Sequence, residues 1–298
     1  GLGAEASRAG ARVVDAVGLA LVSAALFGAM PVAVRFALVP PLVPAAVGAL
    51  LMQVGTFAVL CVAAAIQGGI TFEGLLPFLL AGAIAPGLSN LFITVGIREA
   101  GSSRASVAFG MAPLFAVSIA VLVFDERPGA GVLAGALLIV GGGVALALEP
   151  ERPQHVRRIG IAIALVGAAL FALRDNIVRD RSLETEVPSM TAGAVMLAAS
   201  LVVTSSFVVA RRHPVVWPAP VVARWLLPGA FVGLSYVALF EAFYRGTVSV
   251  VAPIVATESL FGVAFSALLL QRTERIGPRL VLGAALVVAG GVLIAVFR

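Results

Sequence analysis

Apolar runs of about 20 residues recur along the whole chain, each ended by a cluster of Gly, Pro or charge. That length matches the hydrocarbon thickness of a bilayer, which takes about 20 apolar residues per helical span. Of the 298 residues, 61% are hydrophobic and only 12% are charged. A soluble domain is about half apolar and about a quarter charged, so the chain lacks the polar surface that a soluble enzyme, a nucleic-acid binder or a disordered protein needs. The breaks include Pro40-Pro41, Gly101-Ser102, Asp125-Glu126-Arg127-Pro128, Glu149-Pro150, Arg211-Arg212-His213-Pro214 and Gly277-Pro278. They divide the chain into ten predicted helices near 14–38, 42–66, 75–98, 103–124, 129–149, 159–181, 188–210, 221–244, 248–271 and 277–297. The short alternating segments of a membrane β-barrel are missing. The expected fold is therefore an all-α integral membrane protein.

The chain repeats itself. Ala25-Leu26-Phe27 returns as Ala169-Leu170-Phe171, a shift of 144. Gly87-Leu88-Ser89-Asn90 returns as Gly233-Leu234-Ser235-Tyr236, and Leu114-Phe115 as Leu260-Phe261, both at a shift of 146. Gly135 and Gly142-Gly143 return as Gly283 and Gly290-Gly291 at 148. Small loop insertions produce such drift. Each repeat holds five spans, and five is odd, so the second copy enters the membrane in the opposite sense. The expected organisation is an N-terminal segment 1–13, a first five-helix repeat 14–149 and a second, inverted repeat 157–298. Inverted repeats about an in-plane axis characterise secondary transporters with a midplane site.

Charge and cysteine narrow the chemistry. All 20 basic residues are arginine, mostly at the ends of apolar runs, as membrane-surface anchors are. With the N-terminus inside, seven arginines lie inside and eleven, Arg104 among them, lie outside. Taken alone, that count places both termini outside. The single Cys61 excludes an internal disulfide, and with His155 and His213 both in polar connections no transition-metal site is expected. No nucleotide-binding loop appears, and no cofactor is expected.

Ala25-Leu26-Phe27-Gly28, Pro113-Leu114-Phe115, the Asp125-Glu126-Arg127-Pro128 turn and the Gly135…Gly142-Gly143 helix together carry a resemblance. From about 14 to 297 the chain resembles the EamA-type transporters of the drug/metabolite transporter superfamily, most nearly the bacterial aromatic amino acid exporters. The resemblance implies ten helices, a central cavity lined from both repeats, and cytoplasmic termini in the bacterial inner membrane. On the termini it opposes the arginine count, and the family arrangement is followed. The motifs are specific for the superfamily and say little about the substrate.

Candidate binding residues emerge where the repeats differ. Arg174 and Asp175 stand where the first repeat has Met30 and Pro31, and Glu258 stands where it has Ala112. An ionisable group at the bilayer centre costs about 2.5–3.5 kcal/mol on insertion scales, so such groups face a cavity or pair with one another. Glu258 either binds a substrate ammonium or proton, or pairs with an arginine such as Arg174. Arg174, Asp175 and Asn176 either hold the two ends of a substrate or snorkel at the end of helix 6. Asn90 and Tyr236 are repeat mates near mid-helix, where each needs a cavity or an interhelical hydrogen bond. Tyr236 and Phe240 share one helix face, and Phe261 follows Glu258; these rings form a candidate apolar wall or simple packing. Gln53 is a weaker candidate. Pro31, Pro86, Pro113 and Pro253 interrupt helices and are either hinges or static bends. Trp217 and Trp225 fit an aromatic belt.

The expected function is a secondary transporter exporting aromatic or neutral apolar amino acids, or related metabolites, by alternating access. The expected partners are the small-molecule substrate and membrane lipid, with no nucleic acid, and the chain is expected to act as a monomer. A phosphate-ester exchanger would need clustered cations in the cavity, and an intramembrane enzyme would need a nucleophile and base that the sequence does not place within the spans.

Overall fold

The computed structural model describes residues 2–40, 42–68, 74–124, 128–147, 158–182, 187–214, 216–245, 251, 254–270 and 276–297; the side chains at 2–14, 120, 123, 124, 147, 175, 178–182, 243 and 244 lie outside the description. Among the described residues there is helix and no strand. This follows from the solvent. In hydrocarbon each backbone N–H and C=O must find its partner within the span.

The helices are α1 (Leu2–Ala37), α2 (Ala45–Gln67), α3 (Leu76–Gly82), α4 (Ser89–Ala100), α5 (Ser102–Phe109), α6 (Ala112–Phe124), α7 (Ala130–Ala147), α8 (Arg158–Ser182), α9 (Ser189–Ala210), α10 (Ala219–Arg245), α11 (Glu258–Leu269) and α12 (Pro278–Phe297). A π-helical stretch, Ala83–Leu88, joins α3 to α4 within one span. α5 and α6 are two halves of another, and α11 is the second half of the ninth. Seven helices are long and apolar enough to cross a membrane, and two shorter ones, Ala130–Leu146 and Glu258–Leu269, are apolar as well. The tenth is α8, whose length carries Arg174 and Asp175. The fold is thus ten membrane helices in two five-helix repeats. The third and fourth spans are joined by one residue, Gly101, at φ 84°, a conformation open to Gly at no steric cost.

Small residues show how the repeats meet. α7 and α12 are repeat mates and run antiparallel, since Gly135 lies against Gly290 and Gly142 against Gly283. Antiparallel mates are what an inverted repeat requires. Exchange of the repeats also maps the other contacts onto one another. α1 runs antiparallel to α10, where Ser235 Oγ donates to the Ser23 carbonyl at 2.8 Å. Its image is α4 against α8, where a Cβ on Gly167, the mate of Ser23, would lie 3.3 Å from the carbonyl oxygen of Ser89, the mate of Ser235. α2 lies along α10, with Gly55 under Leu226 and Gly229, and α9 lies along the third span, with Met196 over Gly82. Close backbone approach through small residues is the usual means of helix association in lipid.

Two spans are broken, at matched positions. The fourth turns at Gly110–Met111 between α5 and α6, and the ninth turns at Ala256–Thr257 before α11. The two breaks are 146 residues apart, the repeat shift for these helices. The sequence predicts each span as one continuous helix, and predicts Pro113 as a break inside the fourth. Instead Pro113 sits in the first turn of α6, where its missing N–H costs nothing. Pro31 lies inside α1, and Pro86 lies in the π-helical stretch beside Ala85, which leaves helical geometry at φ −144°, ψ 127°. Pro253 lies outside the described residues.

Candidate functional site

The break in the ninth span sets a carboxylate at the start of a helix. Thr257 Oγ1 donates to the Ile254 carbonyl at 2.6 Å, and the N–H groups of Leu260 and Phe261 return to the Thr257 carbonyl at 3.0 and 3.2 Å. Glu258 then occupies the first turn of α11, where the helix dipole favours negative charge. Its mate Ala112 occupies the same place in α6. Of two equivalent positions, the chain charges one.

Glu258 and Ser259 line a narrow central cavity, with about 360 Å³ of empty space when its open mouth is included. Phe27, Gly28, Met30 and Pro31 of α1 line one wall; Ile93 and Ile97 of α4, Ala105, Ser106 and Phe109 of α5, and Ala164 of α8 line the rest. Both repeats contribute. The wall is held by close crossings. A Cβ on Gly28 would stand 2.7 Å from both the Glu258 carbonyl oxygen and the Gly262 nitrogen, so only Gly lets α1 approach α11 this closely. Ser106 turns its hydroxyl to the Ser102 carbonyl at 2.9 Å, and Ser102 and Ser266 share a hydrogen bond at 2.8 Å that ties α5 to α11.

The other candidate residues stand behind this lining. Tyr236 is buried, meets Phe27 edge-on with centroids 5.3 Å apart, and stacks on Phe240 at 5.9 Å. Phe261 packs its Cβ where Gly28 leaves room, with its ring 5.9 Å from that of Phe265. Arg174 is 8% exposed, with its guanidinium 4.9 Å from the centroid of Phe171, whose ring in turn meets Phe109 edge-on at 5.2 Å. Arg174 is thus one ring pair away from the cavity and lies within the protein. Asn176 donates to the carbonyls of Ala172 at 2.9 Å and Ala116 at 3.4 Å, joining α8 to α6. Gln53 is fully buried and donates Nε2 to the Pro86 carbonyl at 3.1 Å, serving a carbonyl of the π-helical stretch. Asn90 is buried on α4 outside the described lining. The side chain of Asp175 lies outside the described residues.

Two expectations are corrected. Arg104 is a fully buried helical residue of α5, because the single-residue turn at Gly101 leaves no loop for it to occupy. Trp225 is also fully buried, its indole lying on Gly48 of α2, so it forms no belt. Ser106, Ser259, Phe27 and Phe109 are lining residues that the sequence reading did not single out; the matched breaks flank three of them and are the signal that points there.

Residues 15–148 and 153–296 each match the EamA-like transporter family. A comparison with curated proteins found no match. A solved crystal structure 18% identical to the chain superposes with a TM-score of 0.65, over 93% of this chain and 95% of that one, a likeness of fold. Two family matches, covering both five-helix halves, place the chain in the EamA-like transporter family, the multi-pass membrane transporters of small molecules.

Proposed function

We propose that the protein is a secondary transporter that exports aromatic or neutral apolar amino acids by alternating access through the central cavity. The observation that carries this reading is the lining itself: among the described residues it is an apolar wall with one carboxylate, Glu258. An apolar pocket with few placed polar groups suits an amphiphile with one charged end and an apolar side chain. Glu258 takes the ammonium group, and Phe27, Met30 and Phe109 receive the side chain. Tyr236, Phe240 and Phe261 hold that wall in place from behind, with Asn90, Asn176 and Gln53 as polar support. Arg174 is a counter-charge on the path. Pro31 within α1 and Pro86 in the π-helical stretch are the hinge candidates among the described residues, Pro113 standing in the first turn of α6.

The protein works in the bacterial cytoplasmic membrane with both termini in the cytoplasm. The cavity lies in the half of each span away from the termini, so this conformation faces outward.

A second reading is favoured by one feature. No basic side chain is among the described lining residues, which fits an apolar amine lacking a carboxylate. Counterflow in proteoliposomes separates the readings. Phenylalanine and tryptophan are expected to exchange, with phenethylamine weaker. Exchange of phenethylamine alone establishes the amine reading, and exchange restricted to phosphate esters overturns both.

A further inference from the structure

α5, with the glycine that ends it, meets α11 along one seam. Ser102 faces Ser266, Ser106 faces Gly262, and Gly110 faces Ser259. Positions 102, 106 and 110 lie four apart, and 259, 262 and 266 three and four apart, so each row keeps to one helix face. At the step nearest Gly101 the two hydroxyls satisfy each other at 2.8 Å. At the next two steps each hydroxyl meets a glycine, which has no side chain to answer it. Ser106 donates its proton to the Ser102 carbonyl at 2.9 Å, so toward the cavity it can only accept. Ser259 is 1% exposed, and its Oγ has no hydrogen-bond partner among the described residues. Both serines line the cavity beside Glu258. A buried hydroxyl with nothing to bond is costly until something arrives to bond it.

We propose, resting on the ammonium contact of the preceding section, that Ser106 and Ser259 accept two N–H groups of the substrate's ammonium while Glu258 takes the third, which makes the cavity selective for primary amines. Charge fits a cation here. Glu258 supplies a carboxylate, and α5 ends at Gly110 against Ser259, so the negative end of its dipole points to the same place. Spacing fits as well. Steps one turn apart are separated by about 5–6 Å, and two hydrogen bonds of about 2.9 Å from one nitrogen reach across about 5 Å. The trio has no copy in the other repeat. At the shift of 146 the mates of Glu258, Ser259 and Ser106 are Ala112, Pro113 and Ala252, none with a polar side chain. Each N-methyl group on a substrate removes one N–H. An N,N-dimethyl compound keeps its charge and one N–H for Glu258, and has none left for the serines.

The test uses the full-length protein in proteoliposomes exchanging labelled phenylalanine or phenethylamine, whichever it carries. The same compound and its N,N-dimethyl form compete for exchange in the parent and in Ser259→Ala, Ser106→Ala and Ser102→Ala proteins. The parent is expected to prefer the primary amine by about tenfold or more, the worth of a hydrogen bond to a charged group. Ser259→Ala is expected to weaken the primary amine by about tenfold and to leave the dimethyl compound within about twofold, so the preference shrinks. A purely structural serine would weaken both compounds alike. Ser106→Ala should act in the same direction. Should it fold poorly for want of its bond to Ser102, Ser259→Ala carries the test, since its hydroxyl has no such bond to lose. Ser102→Ala, outside the lining, should lower the melting temperature and keep the preference. Equal loss of both compounds in Ser259→Ala, no loss of either, or a tighter dimethyl compound with the primary amine unchanged overturns the serine contacts. Glu258→Gln separates the two readings. If it abolishes exchange while the parent binds both compounds equally, the Glu258 contact stands and the serine contacts fall. If neither phenylalanine nor phenethylamine exchanges or competes, the ammonium contact of the preceding section fails, and the serine contacts with it.

Discussion

Gly135 and Gly290 bring α7 and α12 together so closely that a Cβ on Gly135 would lie 2.6 Å from the Gly290 carbonyl oxygen. Their repeat mates, Gly283 and Gly142, form the same contact: a Cβ on Gly283 would lie 3.0 Å from the Gly142 carbonyl oxygen. One contact is the other with the repeats exchanged. The pair is thus a local signature of the pseudo-two-fold axis, formed by the fifth helix of each repeat.

Gly135→Ala is expected to destabilise the protein by about 1–3 kcal/mol, because the obstacle is backbone and the helices must part. Gly142→Ala should cost a similar amount. Gly18→Ala is the control: nothing lies within 4 Å of its Cβ position, and helix propensity favours Ala by about 1 kcal/mol. Melting temperatures in detergent should fall for the first two and hold or rise for the third.

Glu258→Ala should leave the protein folded, since Ala112 fills the equivalent place in the first repeat. Transport is expected to drop at least about tenfold, the loss of one charge-assisted contact. Glu258→Gln should be nearly as damaging if the partner is an ammonium group. Parallel uptake and melting curves check this, and full transport by a stable Glu258→Ala protein would remove Glu258 from the site.

Gln53→Leu withdraws the donor from the Pro86 carbonyl in a fully buried setting. An unsatisfied buried acceptor costs about 1–3 kcal/mol. Stability should fall while KM for the transported substrate stays within about twofold of the parent. A raised KM at unchanged stability would instead return Gln53 to the substrate contacts.

Gly28→Ala forces a Cβ onto the backbone of Glu258 and Gly262. The expected outcome is a loss of transport larger than the loss of stability, because separating α1 from α11 displaces the cavity wall and the carboxylate together. No recovery is expected from Phe261→Ala, which keeps the Cβ that would stand 2.6 Å away and leaves both main-chain obstacles in place; recovery in a Gly28→Ala, Phe261→Ala protein would contradict the crossing described here.

The number of spans, the two repeats and their inversion were legible in the sequence, because lipid solvation sets span length and an odd number of spans per repeat sets orientation. Which residues face one another was not. A helix apolar all round has no preferred face to betray its neighbour, so Phe27 could not be distinguished from Phe36 as a lining residue until α1 was seen against α4, α5 and α11. Neither Gly110-Met111 nor Ala256-Thr257 is a strong breaker. Their turns were decided by tertiary contacts around the axis, where the Cβ of Gly110 would meet Ser259. Arg104 carries the same lesson. Its charge suggested a place at the membrane surface, yet a one-residue turn at Gly101 and close packing of both repeats buried it completely. Sequence determined how often this chain crosses the membrane, since that depends on local transfer energies, and that its second repeat is inverted, since each repeat holds an odd number of spans. Only the three-dimensional packing of one repeat on its inverted copy decided where the cavity opens, because a cavity is a property of surfaces that no single helix carries.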